Sequence, residues 1–256
     1  MLLLGPAGSE GLGNIEGIKK AHSLGARVYE VEFTHGVNMS IAQAREINKL
    51  REELGMIITV HAPYFINLLS PDKVKRAASK KRILDSCKLG NEMNAKWIVF
   101  HPGFYGKLDK DEAYDIMLQE MGELKDAINE LGYTCKLAPE TTGKISQWGD
   151  LEEIVRICKQ FKRGMCIEVA HLKARHQGRI SFEQVLEKLP KSFHAHFSGI
   201  EYGEKGEKRH IEVDIKEFKK LAGLILKKNK NVTMINESPY IFRDLKRMIN
   251  ALKEIK

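Results

Sequence analysis

Trp97-Ile98-Val99-Phe100-His101-Pro102-Gly103 is a run of four β-branched or aromatic residues that ends in a histidine and a Pro-Gly turn. Such a run reads as a short buried strand, and the turn marks the loop at its C-terminal end. Similar runs lie at 2–4, 28–33, 56–60, 134–137, 165–169, 193–197 and 232–235. Between them fall amphipathic stretches near 14–24, 41–54, 73–93, 110–131, 150–161, 181–188, 214–228 and 241–255. Eight strands in 256 residues leave 32 residues for each strand and its helix, a workable βα unit. No Pro/Gly/Ser-rich linker or change of composition interrupts the alternation. The expected fold is α/β, a single (β/α)8 TIM barrel that takes in residues 1–256 as one domain.

A doubly wound open sheet alternates in the same way, and the glycines after the first run bear on the choice. Gly5-Pro6-Ala7-Gly8 and Gly11-Leu12-Gly13 contain neither GxGxxG nor a Lys-Ser/Thr phosphate loop, so they read as turn residues. The polar residues favour the barrel, which gathers the C-terminal ends of its strands into one mouth.

Composition narrows the class further. The chain is 43% hydrophobic and 30% charged, with 21 Gly and 7 Pro, which excludes disordered and collagen-like chains. Its 42 basic and 34 acidic side chains give a net charge of +8, spread along Lys-rich helix faces such as Lys216, Lys219, Lys220, Lys227 and Lys228. Cys87, Cys135, Cys158 and Cys166 form no CxxC pair and no secreted disulfide framework, which points to a reducing, cytoplasmic setting. No signal peptide and no membrane span is expected.

Six consecutive strand ends carry a histidine or carboxylate: His61, His101, Glu140, Glu168 with His171, His196 and Glu237. One such residue alone is usually a hydrogen-bonded loop side chain. Several carboxylates converging on one mouth would repel each other unless a cation lay among them. Imidazole and carboxylate without thiolate suit a catalytic zinc site, with Mn or Fe as alternatives. Glu140, at the middle of the series, is the natural bridge between two ions. His194 shares a strand face with His196 and is expected deeper, as a hydrogen-bonded core residue.

The strings His61-Ala62-Pro63-Tyr64-Phe65-Ile66-Asn67-Leu68, Phe100-His101-Pro102-Gly103, Pro139-Glu140-Thr141-Thr142-Gly143, Cys166-Ile167-Glu168-Val169-Ala170-His171, Lys208-Arg209-His210 and Asn236-Glu237-Ser238-Pro239 resemble, in order and spacing, the endonuclease IV family. The resemblance implies a DNA-repair hydrolase: a zinc-dependent endonuclease that cuts DNA 5′ to abasic or damaged sites, with a metal-bound hydroxide as nucleophile. It assigns His61, His101 and Glu140 to one ion, and Glu140, Glu168, His196 and Glu237 to a second. His171 and His210 would hold a third. Glu168 stands where the family has Asp. Lys208 stands where the family has the third ion's Asp, so the expectation is two to three ions. The missing ligand could be supplied by Glu201, Glu204, Glu207 or Glu212, or Lys208 could itself act as a catalytic cation near the substrate phosphate, with Glu140 as the other catalytic residue. Tyr64 matches the DNA-binding aromatic that the family inserts beside the missing base, and Phe65 next to it could stack in the same gap, whereas residues 33–38 lack the arginine that the family places after its second strand. The expected partner is DNA containing abasic sites, bound by a monomer. The alternative is a metal-dependent sugar isomerase or epimerase on the same barrel, and a third reading is a non-enzymatic DNA-damage binder.

Overall fold

The computed structural model describes residues 1–161 and 164–255. In chain order the described elements are β1 (Leu2–Pro6), α1 (Asn14–Ser23), β2 (Val28–Glu32), α2 (Ile41–Leu54), β3 (Ile57–His61), α3 (Lys73–Glu92), β4 (Trp97–Phe100), β5 (Gly103–Phe104), α4 (Lys110–Glu130), β6 (Lys136–Pro139), β7 (Gln147–Trp148), α5 (Leu151–Phe161), β8 (Cys166–Glu168), α6 (Val169–Arg175), α7 (Phe182–Lys188), β9 (Ser192–Phe197), β10 (Gly199–Gly203), β11 (Gly206–Ile211), α8 (Ile215–Lys227), β12 (Asn231–Asn236) and α9 (Ile241–Glu254).

Two four-stranded parallel sheets, β2-β3-β4-β6 and β8-β9-β12-β1, form the wall. Single parallel bridges, Ala7 with Glu30 and Glu140 with Cys166, join them into a closed eight-stranded barrel. At these joins the Gly8 N–H donates to the Glu30 carbonyl at 2.9 Å, and the Thr141 N–H to the Cys166 carbonyl at 3.1 Å. The outer faces of the strands carry Tyr29, Val31, Ile58, Val60, Ile98 and Phe100, which join the main buried cluster with the helices. Inside, Trp97, Val99, Ala138 and Cys166 pack as a separate buried cluster. Strand alternation produces this division, since odd and even positions face opposite sides of the wall.

Polar caps start the helices where the loops over the mouth end. Ser40 and Gln43 form a reciprocal capping box on α2, Asp109 and Glu112 form another on α4, and Asp72 and Asp214 cap α3 and α8. None of the described helices is long and apolar enough to cross a membrane.

The structure departs from the sequence reading in three places. The run at 165–169 ends as a strand at Glu168, where α6 begins, because Glu168 Oε1 accepts the Ala170 N–H at 2.9 Å and caps that helix. The run at 134–137 shifts to Lys136–Pro139. Two antiparallel pairs, β5 with β7 and β10 with β11, were not expected, and both stand beside the mouth.

Candidate metal centre

The strand ends bring three groups of side chains together. His61, His101 and Glu140 form the first, Glu140, Glu168, His196 and Glu237 the second, and His171, Glu207 and His210 the third; within each, the ligand atoms lie within 4.8 Å of one another. Glu140 belongs to two groups. Its Oε2 lies 3.1 Å from His61 Nε2 and 3.2 Å from His101 Nε2, and its Oε1 lies 3.5 Å from His196 Nδ1.

The backbone fixes how the histidines present themselves. His61 Nδ1 lies 2.8 Å from the Ala62 carbonyl, His171 Nδ1 2.9 Å from the Thr141 carbonyl, and His210 Nδ1 3.1 Å from the Glu237 carbonyl. A carbonyl only accepts, so these three rings donate Nδ1–H and turn Nε2 toward the carboxylates. The Nε2 atoms of His171 and His210 consequently face each other at 3.2 Å, with Glu207 Oε2 3.3 Å from His171 Nε2.

Two lone pairs and a carboxylate meeting at that distance call for a cation among them. The second group makes the same demand, since Glu140 Oε1, Glu168 Oε2 and His196 Nδ1 are buried and make no hydrogen bond. Oxygen and imidazole donors of this kind fit divalent zinc, manganese or iron.

The charges are strongly interdependent. Burial opposes the charged form of Glu140, yet His101 and His196 hold its carboxyl well below the ordinary range. Burial and the charge of Glu237 push Glu168 the other way, well above it. Burial disfavours protonated His61, but its hydrogen bond to Glu140 and the charges of Glu32 and Glu140 raise it to about 10. Glu207 is held down to about 2 against its own burial by the hydrogen bond and charge of His171.

The β10–β11 hairpin supplies the third group through a bulge. Arg209 pairs with Glu201 and Glu207 with Tyr202, so Lys208 is an extra residue opposite no partner. Regular alternation would place Lys208 on the His210 side; the bulge replaces it there with Glu207. Lys208 is instead 59% exposed, with Nζ 3.8 Å from Glu201 Oε1 on the outside of the hairpin. The structure therefore does not bring Lys208, expected as a catalytic cation, to the ligand groups. Gly143 makes room for Glu207: a Cβ on it would lie 2.7 Å from Glu207 Cβ and Oε2. Gly206, at φ +96, brings the hairpin tip to the same loop, where the Glu207 N–H donates to the Gly143 carbonyl at 3.0 Å.

Tyr64 and Phe65 stand at the rim, 53% and 61% exposed. The Tyr64 ring lies 6.0 Å from His61 and 6.3 Å from His101, and the Phe65 ring 6.3 Å from His35. The cleft beneath them has a volume of about 610 Å³. Its lining includes Ser9, Glu10, Glu32, Thr34 and Ser238, and none of its described lining residues is Lys or Arg.

Glu30 and Glu32 were missed from the sequence. Both lie on β2 and come within ligand distance of Glu237. Burial drives the Glu32 carboxyl up to about 8, with the charges of Glu30 and Glu237 adding to the rise against His61. The available signal was alternation: Glu30 and Glu32 alternate with Tyr29 and Val31, so they point into the barrel. His194 is buried where it was expected, bonded to Glu30 and Thr233.

Residues 18–255 match a family model described as xylose isomerase-like TIM barrel. An uncharacterized protein of Methanocaldococcus jannaschii is 32% identical over 271 residues, covering 100% of this chain and 98% of that one. A probable endonuclease 4 of Aquifex aeolicus is 26% identical over 225 residues, 79% of each chain. Among solved structures, a D-tagatose 3-epimerase-like protein superposes with a TM-score of 0.75 at 19% identity, covering 99% and 96% of the two chains. Endonuclease IV from Thermus thermophilus superposes with a TM-score of 0.74 at 18% identity, covering 98% and 99%. These two structures share the barrel with this chain and differ from each other in the reactions that they are named for. The match over nearly its whole length makes this chain a member of the xylose isomerase-like TIM barrel family.

Proposed function

We propose that the chain is a metal-dependent phosphodiesterase that cuts DNA 5′ to abasic sites and leaves a 3′-hydroxyl. The observation that carries this reading is the third group, His171–Glu207–His210, beside two groups that share Glu140. Proton movement on a sugar needs the second group alone, whereas phosphoryl transfer gains from charge on both the attacking and the leaving oxygen. The likeness to the probable endonuclease 4 of Aquifex aeolicus supports the same choice.

In this reading His61, His101, Glu140, Glu168, His171, His196, Glu207, His210 and Glu237 hold two to three ions, zinc with manganese or iron as alternatives. Bound there, the ions would supply an activated water and neutralise charge on the phosphate. Glu140 ties two groups together and fixes their separation. Tyr64 and Phe65 fill the gap beside the missing base, where an aromatic face replaces lost stacking. The proposal includes a single 1–256 barrel domain, a monomer, and a cytoplasmic place in DNA repair.

A second reading, a sugar epimerase or isomerase, draws on the cleft wall. Ser9, Glu10, Glu32, Thr34 and Ser238 offer hydroxyls and carboxylates, with no Lys or Arg among the described lining residues. Such a wall suits a neutral polyol better than a phosphodiester.

The deciding experiment incubates zinc-loaded protein with a duplex carrying one abasic site, and in parallel with a panel of ketoses. Incision without ketose turnover, lost in Glu140→Gln, is the expected result. Ketose turnover without incision would replace the first reading by the second.

A further inference from the structure

Glu30 is fully buried inside the barrel, below the ligand groups. Its Oε1 lies 2.9 Å from His196 Nε2 and its Oε2 lies 3.0 Å from His194 Nε2. His194 Nδ1 lies 2.8 Å from Thr233 Oγ1. A carboxylate accepts from a ring N–H, so His194 donates Nε2–H to Glu30 Oε2, whereas Glu30 Oε1 and His196 Nε2 are in contact without the alignment of a hydrogen bond and interact through charge. The Thr233 hydroxyl then donates to His194 Nδ1. With a cation among Glu140, Glu168 and Glu237, the proton of His196 stays on Nε2, facing the charge of Glu30, and its lone pair is on Nδ1. That atom faces Glu237 Oε1 at 2.9 Å and Glu140 Oε1 at 3.5 Å.

We propose that Glu30 is a positioning residue that holds His196 as an Nδ1 ligand for a divalent cation in the Glu140–Glu168–His196–Glu237 group. The inference rests on the metal reading above but not on the identity of the substrate. His61, His171 and His210 turn Nε2 inward because a carbonyl takes Nδ1–H; His196 is reversed, and Glu30 is the group that reverses it. A carboxylate behind a ligating imidazole also raises the basicity of the ligand nitrogen. Glutamate fits this position better than glutamine because it presents a negatively charged oxygen to each of two rings. A glutamine can accept from His196 with its oxygen, but its NH2 then forces His194 to move its proton to Nδ1. Thr233 can absorb that change by accepting instead of donating. Glu30→Gln therefore keeps a bonded core and loses the negative charge behind His196.

The test uses the full chain with histidine ring nitrogens labelled, first free of metal and then with zinc. Long-range proton–nitrogen spectra should show His196 protonated on Nε2, with its Nδ1 resonance displaced by zinc. Chelator competition should show that Glu30→Gln weakens zinc binding by about 10–100-fold, the usual range for a group behind a metal ligand. Its circular dichroism should stay that of the parent. Zinc bound at His196 Nε2 would overturn the role of Glu30 and leave the metal reading standing. Parental zinc affinity in a folded Glu30→Gln would do the same. Failure of the parent to bind zinc would overturn both. If Glu30→Gln does not fold, the proton position on the parent's His196 decides.

Discussion

The Glu207 carboxylate lies 3.3 Å from the His171 imidazole, although α7, β9 and β10 separate their elements in the chain. The Lys208 bulge makes this contact by breaking the alternation of β11, so that residues three apart, Glu207 and His210, share a side. A carboxylate is thereby kept in the third group although the residue two before His210 is a lysine.

Glu207→Ala should accordingly lower zinc stoichiometry by one ion, whereas Lys208→Ala should leave stoichiometry and incision unchanged. Metal analysis after exhaustive dialysis, paired with the incision assay, reads both. A full ion count in Glu207→Ala would remove Glu207 from the ligand set. Loss of incision in Lys208→Ala with its ions intact would return the lysine to the chemistry.

Gly143→Ala puts a methyl group against Glu207 and within 3.0 Å of His171 Cδ2. Both neighbours are confined, so the hairpin must move away. The expected cost is about 1–3 kcal/mol in urea unfolding, typical of overpacking. Zinc in the third group should weaken while the Glu140 groups keep theirs. Equal weakening of all groups would show that the hairpin position does not act on the third group specifically.

Tyr64→Ala and Phe65→Ala remove exposed rings, so the melting temperature and zinc content should stay at parental values. Affinity for an abasic duplex should fall by about 1–3 kcal/mol for each ring that stacks on a base. Fluorescence anisotropy with intact and abasic duplexes measures it. A loss confined to the abasic duplex is expected; no loss with either would take both residues out of DNA contact.

Asp244 provides a pH test on a side chain that is not in the ligand groups. Burial opposes its charge, but the Val213 N–H at 2.9 Å and Arg247 at 2.8 Å hold its carboxyl below the ordinary 3.8. A group depressed in the folded state stabilises the fold above its unfolded value and loses that contribution as pH falls through its folded value. Asp244→Asn should therefore be less stable than the parent at pH values above 3.8, with the gap closing in more acidic urea titrations. A gap that stays constant with pH would assign the effect to packing.

Much of the barrel was legible because most strand runs are short, apolar and rich in β-branched or aromatic residues, and because His61, His101 and His196 fall at or beside strand ends. Tertiary context set the remainder. Val169 favours a strand by its branching, yet Glu168 caps a helix there and the chain turns. The hairpin had a local signal in Gly203-Glu204-Lys205-Gly206, whose two glycines pair across the turn. The choice of Glu207 over three other acids depended on a bulge, which leaves no periodic mark in sequence. Glu30 and Glu32 were visible as alternating acids on β2, but only the closed barrel places Glu30 behind His196 on β9.

The single bridges that close the barrel have a mechanical consequence. Glu140 stands where the β2-β3-β4-β6 half meets the other, while Glu168, His196 and Glu237 belong to or follow strands of the opposite half. An ion gripped by all four would be a rivet through one of the two single-bridge joins of the wall. Its binding energy is added to the work of separating the halves, because a ligand that binds only the closed form shifts the equilibrium toward it. Zinc should therefore slow hydrogen exchange of the Thr141 amide, which crosses this join to the Cys166 carbonyl.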